Sequence, residues 1–180
     1  MPDYIRNVLK FKNLKSDDIQ IILDLITSPA SPVEIPGVHY KSEIDFNKII
    51  PEPITKEECP KEYLLDEYLG IARMKDKPWF NWYDWHIANW GTKWNACDSN
   101  IKVGKSYITF AFSTAWDLPW HIYKRLSLLN YDMEIRYANE ELGSNCGKII
   151  YNKSEQRWTF QNETDLRNPY NFARDLWKKY

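Results

Sequence analysis

The chain predicts an α+β fold in which helices flank a mostly antiparallel sheet. Three observations predict it. Two stretches, Asp3–Phe11 and Tyr107–Ser113, alternate with a period of two. Each is followed by an amphipathic helical pattern, as in a strand that leads into a helix. The last third of the chain then holds three more short strand patterns and a closing helix, not repeated βα units.

In the first stretch Ile5, Leu9 and Phe11 point one way and Tyr4, Arg6, Val8 and Lys10 the other, a half-buried strand whose inward face Asn7 interrupts. Ser16 is placed to cap the next helix, with Asp17 and Asp18 at the positive end of its dipole. Ile19, Ile22, Leu23 and Ile26 form its buried stripe, and Pro29 and Pro32 prevent its continuation. Residues 27 to 60 hold six of the ten prolines and little periodicity, so a long irregular excursion is expected. Its one hydrophobic anchor is the run Ile44 to Pro53. Pro60 reads as the first residue of a helix through Tyr63, Leu64, Tyr68, Leu69 and Ile71.

Seven of the nine tryptophans fall between Trp79 and Trp120. A tryptophan-rich helix is expected here, with Trp79, Tyr83, His86 and Trp90 on one face and Trp82, Trp85 and Asn89 on the next. Aromatics around so much of its circumference predict burial on more than one side, and Gly91 supplies a left-handed stop. Ile108, Phe110 and Phe112 face inward from the second strand. Asp117 caps the helix that follows, with Ile122, Leu126 and Leu129 as its core stripe. Strands near Asp132–Ala138, Lys148–Asn152 and Gln156–Gln161 come next, the last two joined through Lys153-Ser154-Glu155. Arg167 to Lys179 closes as a helix anchored by Phe172, Leu176 and Trp177.

Two β–α–β units, expanded by an insertion and an added hairpin, match a ferredoxin-like plan. At 180 residues, a single ferredoxin-like α+β domain over 1–180 is the expectation, with 27–78 an inserted loop and helix segment. Hydrophobic content of 43% is enough for a sizeable core.

A formal charge of −1 lacks the cationic excess of general nucleic-acid binders. Cys59, Cys97 and Cys146 are odd in number and unpaired by spacing, which fits a reducing cytoplasm better than secretion. No apolar run is long enough to span a bilayer, and the start lacks the pattern of a signal peptide. No nucleophile elbow, metalloprotease motif or phosphate loop is present. The chain therefore reads as no enzyme, with no cofactor. Asp117 and His121, four apart, could touch, but a helix cap beside a surface histidine explains them as well. A zinc site from His86, Cys97, His121 and Cys146 would need four separated segments to converge.

Three blocks, Ile44-Asp45-Phe46-Asn47-Lys48-Ile49-Ile50-Pro51-Glu52-Pro53, the run from Trp82 to Ala96 containing Asn89-Trp90-Gly91-Thr92-Lys93-Trp94-Asn95, and Ile108 to Pro119, resemble signature blocks of the YubB-like family. The start, Pro2-Asp3-Tyr4-Ile5-Arg6-Asn7, departs from the Pro-Asn-Trp-Cys start of that family. The resemblance implies a ferredoxin-like domain carried by bacteriophages and plasmids, hence a viral or mobile-element protein acting in the host-cell cytoplasm. It brings no established activity and no catalytic residues.

The binding reading centres on Asn89, Trp90, Thr92, Lys93, Trp94 and Asn95. Aromatics, amides, a hydroxyl and one cation after a helix end suit a flat heteroaromatic ligand carrying phosphate. Lys105 and Arg73 are the further phosphate contacts. With the mobile-element origin, this gives an anti-defence accessory protein that sequesters a nucleotide-like small molecule. The competing structural reading makes Trp90 and Trp94 core and the polar residues cap and turn partners. The alternative function is a protein-binding inhibitor of a host defence factor through an exposed aromatic patch. A third is a nucleic-acid module using the sheet face of Tyr4, Arg6, Lys10, Tyr107, Thr109, Glu134 and Arg136. The charge balance argues against nucleic acid, and the insertion or the last helix is expected to cover that face.

Overall fold

A computed structural model describes residues 3–35, 38–65 and 76–179. The elements are β1 (Tyr4–Lys12), α1 (Ser16–Ile26), the hairpin β2 (Thr27–Ile35) and β3 (Val38–Ile44), the one-turn α2 (Phe46–Ile49) and α3 (Trp82–Asn89). There follow the hairpin β4 (Cys97–Val103) and β5 (Ile108–Ala115), then α4 (Trp120–Ser127). β6 (Asp132–Asn139), β7 (Cys146–Asn152), β8 (Arg157–Gln161) and α5 (Pro169–Lys179) complete the chain. Six strands form one sheet in the order β4-β5-β1-β6-β7-β8. Every neighbouring pair is antiparallel.

The run β1-α1-β4-β5-α4-β6 is the ferredoxin-like unit. Its strands lie in the order second, third, first, fourth, so each helix crosses over one intervening strand. β7 and β8 extend the sheet beyond the fourth strand, and everything between α1 and β4 is inserted.

Alternation decides the two faces. Leu9 and Phe11 of β1, Ile108, Phe110 and Phe112 of β5, and Met133 and Ile135 of β6 meet Ile19, Ile22 and Ile26 of α1 and Ile122, Tyr123 and Leu126 of α4. Asn7, read as a flaw in this face, is fully buried and satisfied. Its Nδ2 donates to Ile5 O and Thr114 Oγ1, each at 2.9 Å, and its Oδ1 accepts from Tyr123 Oη at 2.7 Å. On the other face Val8, Ala111, Ala138 and Cys146 pack under Ala173 and Leu176 of α5. Small residues on the sheet let this helix approach closely.

Several expectations are corrected. The excursion after α1 is not irregular: β2 and β3 pair with each other in register from Ser31↔Ser42 to Ile35↔Val38, with an irregularity between Thr27 and Ser31. The prolines are tolerated because β2 pairs on one side only. β4 has no counterpart among the strands the sequence predicts, although it is the second strand of the ferredoxin-like unit. The helix expected from Pro60 is a single 3₁₀ turn, Lys61–Tyr63, that Pro60 caps; Tyr68, Leu69 and Ile71 lie outside the described residues. Ser16 is the first residue of α1, not its cap, and Asp18 Oδ2 accepts from the Lys15 N–H at 2.9 Å. Pro119, not Asp117, stands at the N-cap of α4.

The anchor Ile44 to Pro53 behaves as read: Ile44, Phe46 and Ile49 are buried in the main core. Gly91, at φ +87°, ends α3.

Candidate functional site

Helix α3 holds the aromatic cluster, and its neighbours fix where each ring goes. Asn81 caps it, Oδ1 accepting from the Asp84 N–H at 3.3 Å. Contrary to the expectation of burial on several sides, only Trp85 and His86 are buried; Asp84, Ile87 and Ala88 are exposed. Trp79 lies before the helix, not on it.

On the inner side, His86 stacks on Trp90 with centroids 3.9 Å apart. Phe46 and Trp85 meet the Trp90 ring edge-on, and Trp90 Nε1 donates to Ile50 O at 2.9 Å. His86 Nδ1 lies 2.8 Å from the carbonyl of Lys93, and Nε2 lies 2.6 Å from Glu52 Oε1. The Lys93 carbonyl is an acceptor, so the ring donates through Nδ1, and Nε2 is hydrogen-bonded to the Glu52 carboxylate. Lys77 Nζ reaches Glu52 Oε2 at 2.9 Å. Burial alone would raise the Glu52 carboxyl, but hydrogen bonds from His86 and Lys77, with their charges, hold it below the ordinary glutamate value. Both ring nitrogens of His86 are thus committed within the protein.

The proposed ligand residues divide into two sets. Trp90 is 1% exposed and Thr92 fully buried, its hydroxyl donating to Ala115 O at 2.7 Å. Asn95 Oδ1 accepts from the N–H of Phe46 and of Ala96, and Nδ2 donates to Asp45 Oδ1, all at 2.9 Å. Asn95 therefore fastens the start of α2 to the segment before β4. Asn89 Nδ2 turns back to Trp85 O at 3.0 Å. These four residues follow the competing structural reading: they spend their polar groups on the fold.

Lys93 and Trp94 differ. Lys93 Nζ sits over three rings, 4.4 Å from the centroid of Trp116, 4.8 Å from Trp94 and 5.8 Å from Tyr83. Such distances are within the range of cation–π attraction. Trp94, Tyr83 and Lys93 are half-buried, and Trp116 is 42% exposed. Tyr83 meets Trp116 edge-on at 5.9 Å. Trp116 has φ +74°, a left-handed conformation that is unusual for a bulky residue and strained. Its N–H donates to Asp3 O at 2.8 Å, which holds the turn. Ile87, one turn on from Tyr83, is also exposed, and Asp84 and Asp117 stand as exposed polar neighbours.

Lys105 is exposed in the β4–β5 turn, beyond the far end of a seven-residue strand, which at about 3.3 Å per residue puts it roughly 20 Å or more from Trp94. Arg73 lies outside the described residues. Sequence reading missed Trp116 and Tyr83 as partners of Lys93; the cue was available, since both stand in the quoted blocks.

The other candidates are placed plainly. Asp117 Oδ1 accepts from the Leu118 N–H at 2.7 Å, and His121 is an exposed residue of α4. Cys97 and Cys146 occupy equivalent rows on β4 and β7, four strand spacings or about 19 Å apart, too far to share an ion. Among the described residues no group of three His, Cys, Asp or Glu side chains is arranged to hold a metal. No described helix is long and apolar enough to cross a membrane.

A mostly antiparallel sheet with two helices on one face defines the class, a ferredoxin-like α+β protein. The chain belongs to the family described as the ferredoxin-like domain in Api92-like protein, whose model matches residues 89–178, half of the chain from the end of α3 through α5. No curated protein and no solved structure matches it.

Proposed function

We propose that the chain is a binding protein of phage or plasmid origin, without enzymatic activity, that inhibits a host defence protein through the patch of Tyr83, Trp94 and Trp116 gathered around Lys93. The origin rests on the resemblance of its three sequence blocks to the YubB-like family. The observation that carries the contact surface is Trp116: a large ring, 42% exposed, held outward by a strained backbone beside a cation shared by three rings. Exposed aromatic patches with polar rims are characteristic of protein contacts, and tryptophan and tyrosine are enriched among the residues that dominate them. A sequestering pocket is less favoured because Trp90, Thr92 and Asn95 are already committed to the fold. One observation keeps it as a second reading: Lys93 Nζ lies beside the Trp94 ring, a cation next to a stacking surface.

The test compares wild-type protein with Trp116→Ser and Trp94→Ala as baits in host lysate, with crosslinking to locate the contact. A host protein crosslinked near Trp116 and lost with both variants, at unchanged melting midpoints, supports the reading. Capture indifferent to both substitutions sinks it. A thermal shift by a mono-, di- or cyclic nucleotide that Trp94→Ala removes transfers the assignment to sequestration, because a ligand that binds only the folded state raises the midpoint by mass action.

A further inference from the structure

α5 covers only half of its sheet face. The strand register gives the two rows at its border. One crosses all six strands as Lys102, Thr109, Lys10, Glu134, Ile150 and Thr159; its neighbour reads Asn100, Ala111, Val8, Arg136, Lys148 and Gln161. α5 packs over Val8 and Ala111 and leaves the first row outside its footprint. A third row beyond it carries Lys12, Asp132, Asn152 and Arg157. Lys178 and Lys179 of α5 join Arg136 around a cavity of about 480 Å³ at the border, with Phe172, Asp175 and Leu176.

Eight cations thus face one region against three carboxylates among the described residues, on a chain whose formal charge is −1. Glu134 organises them. Lys12 pairs with Oε2, Lys148 Nζ lies 3.6 Å from the same oxygen, and Arg136 Nε lies 3.7 Å from Oε1. The side chains of Lys12, Arg136 and Lys148 stay about one third exposed while Glu134 is half as exposed, so the cations form the outer layer. Lys10 Nζ rides over the Tyr107 ring at 4.3 Å. Between them the partly exposed Ile150 and the exposed Thr159 make a low floor, while Thr109 in the same row is buried.

We infer that this half-face binds single-stranded nucleic acid, its phosphates on Lys10, Lys12, Lys102, Arg136, Lys148 and Lys178–Lys179 and its bases on the floor of the sheet. From β4 to β7 the cations span four strand spacings, about 19 Å, the reach of a few nucleotides. The wall of α5 on one side and an open sheet floor suit a flexible strand with unstacked bases, as in other sheet-face binders, more than a rigid duplex. Phosphate exchanges for the Glu134 contacts, so none of these cations must be unpaired beforehand.

Fluorescence anisotropy of the full chain with labelled oligo-U, oligo-dT and a duplex of equal length tests this. Single strands are expected to bind, and the seven named phosphate contacts predict an affinity loss of about 1,000-fold between about 50 and about 200 mM salt. Arg136→Glu with Lys148→Glu should weaken binding at least about 10-fold, while Glu134→Gln, which removes the one central negative charge, should tighten it. Circular dichroism checks that both variants fold, and Lys10→Glu with Lys102→Glu repeats the reversal away from the Glu134 cluster. Preference for oligo-U over oligo-dT, or the reverse, assigns RNA or DNA within the proposal. No binding, tighter duplex binding, or binding untouched by both reversals overturns it.

Discussion

His86 lies flat on Trp90, planes 17° from parallel, and its Nε2 points to Glu52 thirty-four residues earlier. This ring ties the loop after α2 to α3. Because the Glu52 carboxyl is lowered in the folded state, its contribution to stability is present above the unfolded value of 4.5 and is lost as pH falls through the lower folded value. Glu52→Gln should cost about 3 kcal/mol at neutral pH, since it leaves Lys77 without its counter-charge. The melting midpoint of wild type should fall more steeply below about pH 4.5 than that of the variant. Equal pH profiles would remove Glu52 from this role.

Tyr123 is fully buried, and burial pushes its phenol well above the ordinary tyrosine value. It stays protonated and donates to Asn7. Tyr123→Phe should therefore destabilise by about 1–3 kcal/mol by stranding Asn7 Oδ1 without a donor. Urea unfolding measures this, and an unchanged midpoint would mean that Asn7 finds another donor.

Trp90 and Trp116 should respond in opposite ways to truncation. Trp90→Ala opens a core cavity and removes the bond to Ile50, a loss of about 3–5 kcal/mol. Trp116→Gly relieves a positive φ while giving up partly exposed packing, so stability should stay within about 1 kcal/mol of wild type. Paired thermal melts of the two variants decide it.

Burial and the charge of Asp98, against a smaller opposing effect of Arg6, push the Cys97 thiol up to about 12. All three cysteines are free and buried. The native protein should react slowly with a thiol reagent at pH 8, and all three thiols should react at once after unfolding. A fast-reacting equivalent in the native state would contradict the burial of one of them.

Much of the fold is legible in local pattern. β5 alternates cleanly and β1 does so apart from Asn7, the isoleucines of α1 mark its face, and Gly91 marks the end of α3. β4 was hidden because Asp98, Ser99 and Asn100 have low strand propensity and a register shift between Cys97 and Asn100 breaks the period. β2 was hidden because Pro29 and Pro32 argue against a strand unless it pairs on one side only. The site was legible as a place and not as a set of partners. Asn95 and Thr92 look like ligand groups until the distant backbone groups of Phe46 and Ala115 are seen to use them. The grouping of Lys93 with Trp116 depends on where β5 ends relative to α3, which no local pattern states.

The separation of charge across the sheet has a practical consequence. With cations gathered beside α5 on a chain of formal charge −1, the other residues together carry net negative charge. A positive patch of this kind makes the isoelectric point a poor guide to how the protein meets a charged matrix. It should be retained on a cation exchanger at neutral pH, where its net charge alone would let it pass. Its approach to any polyanion should be oriented before contact is made.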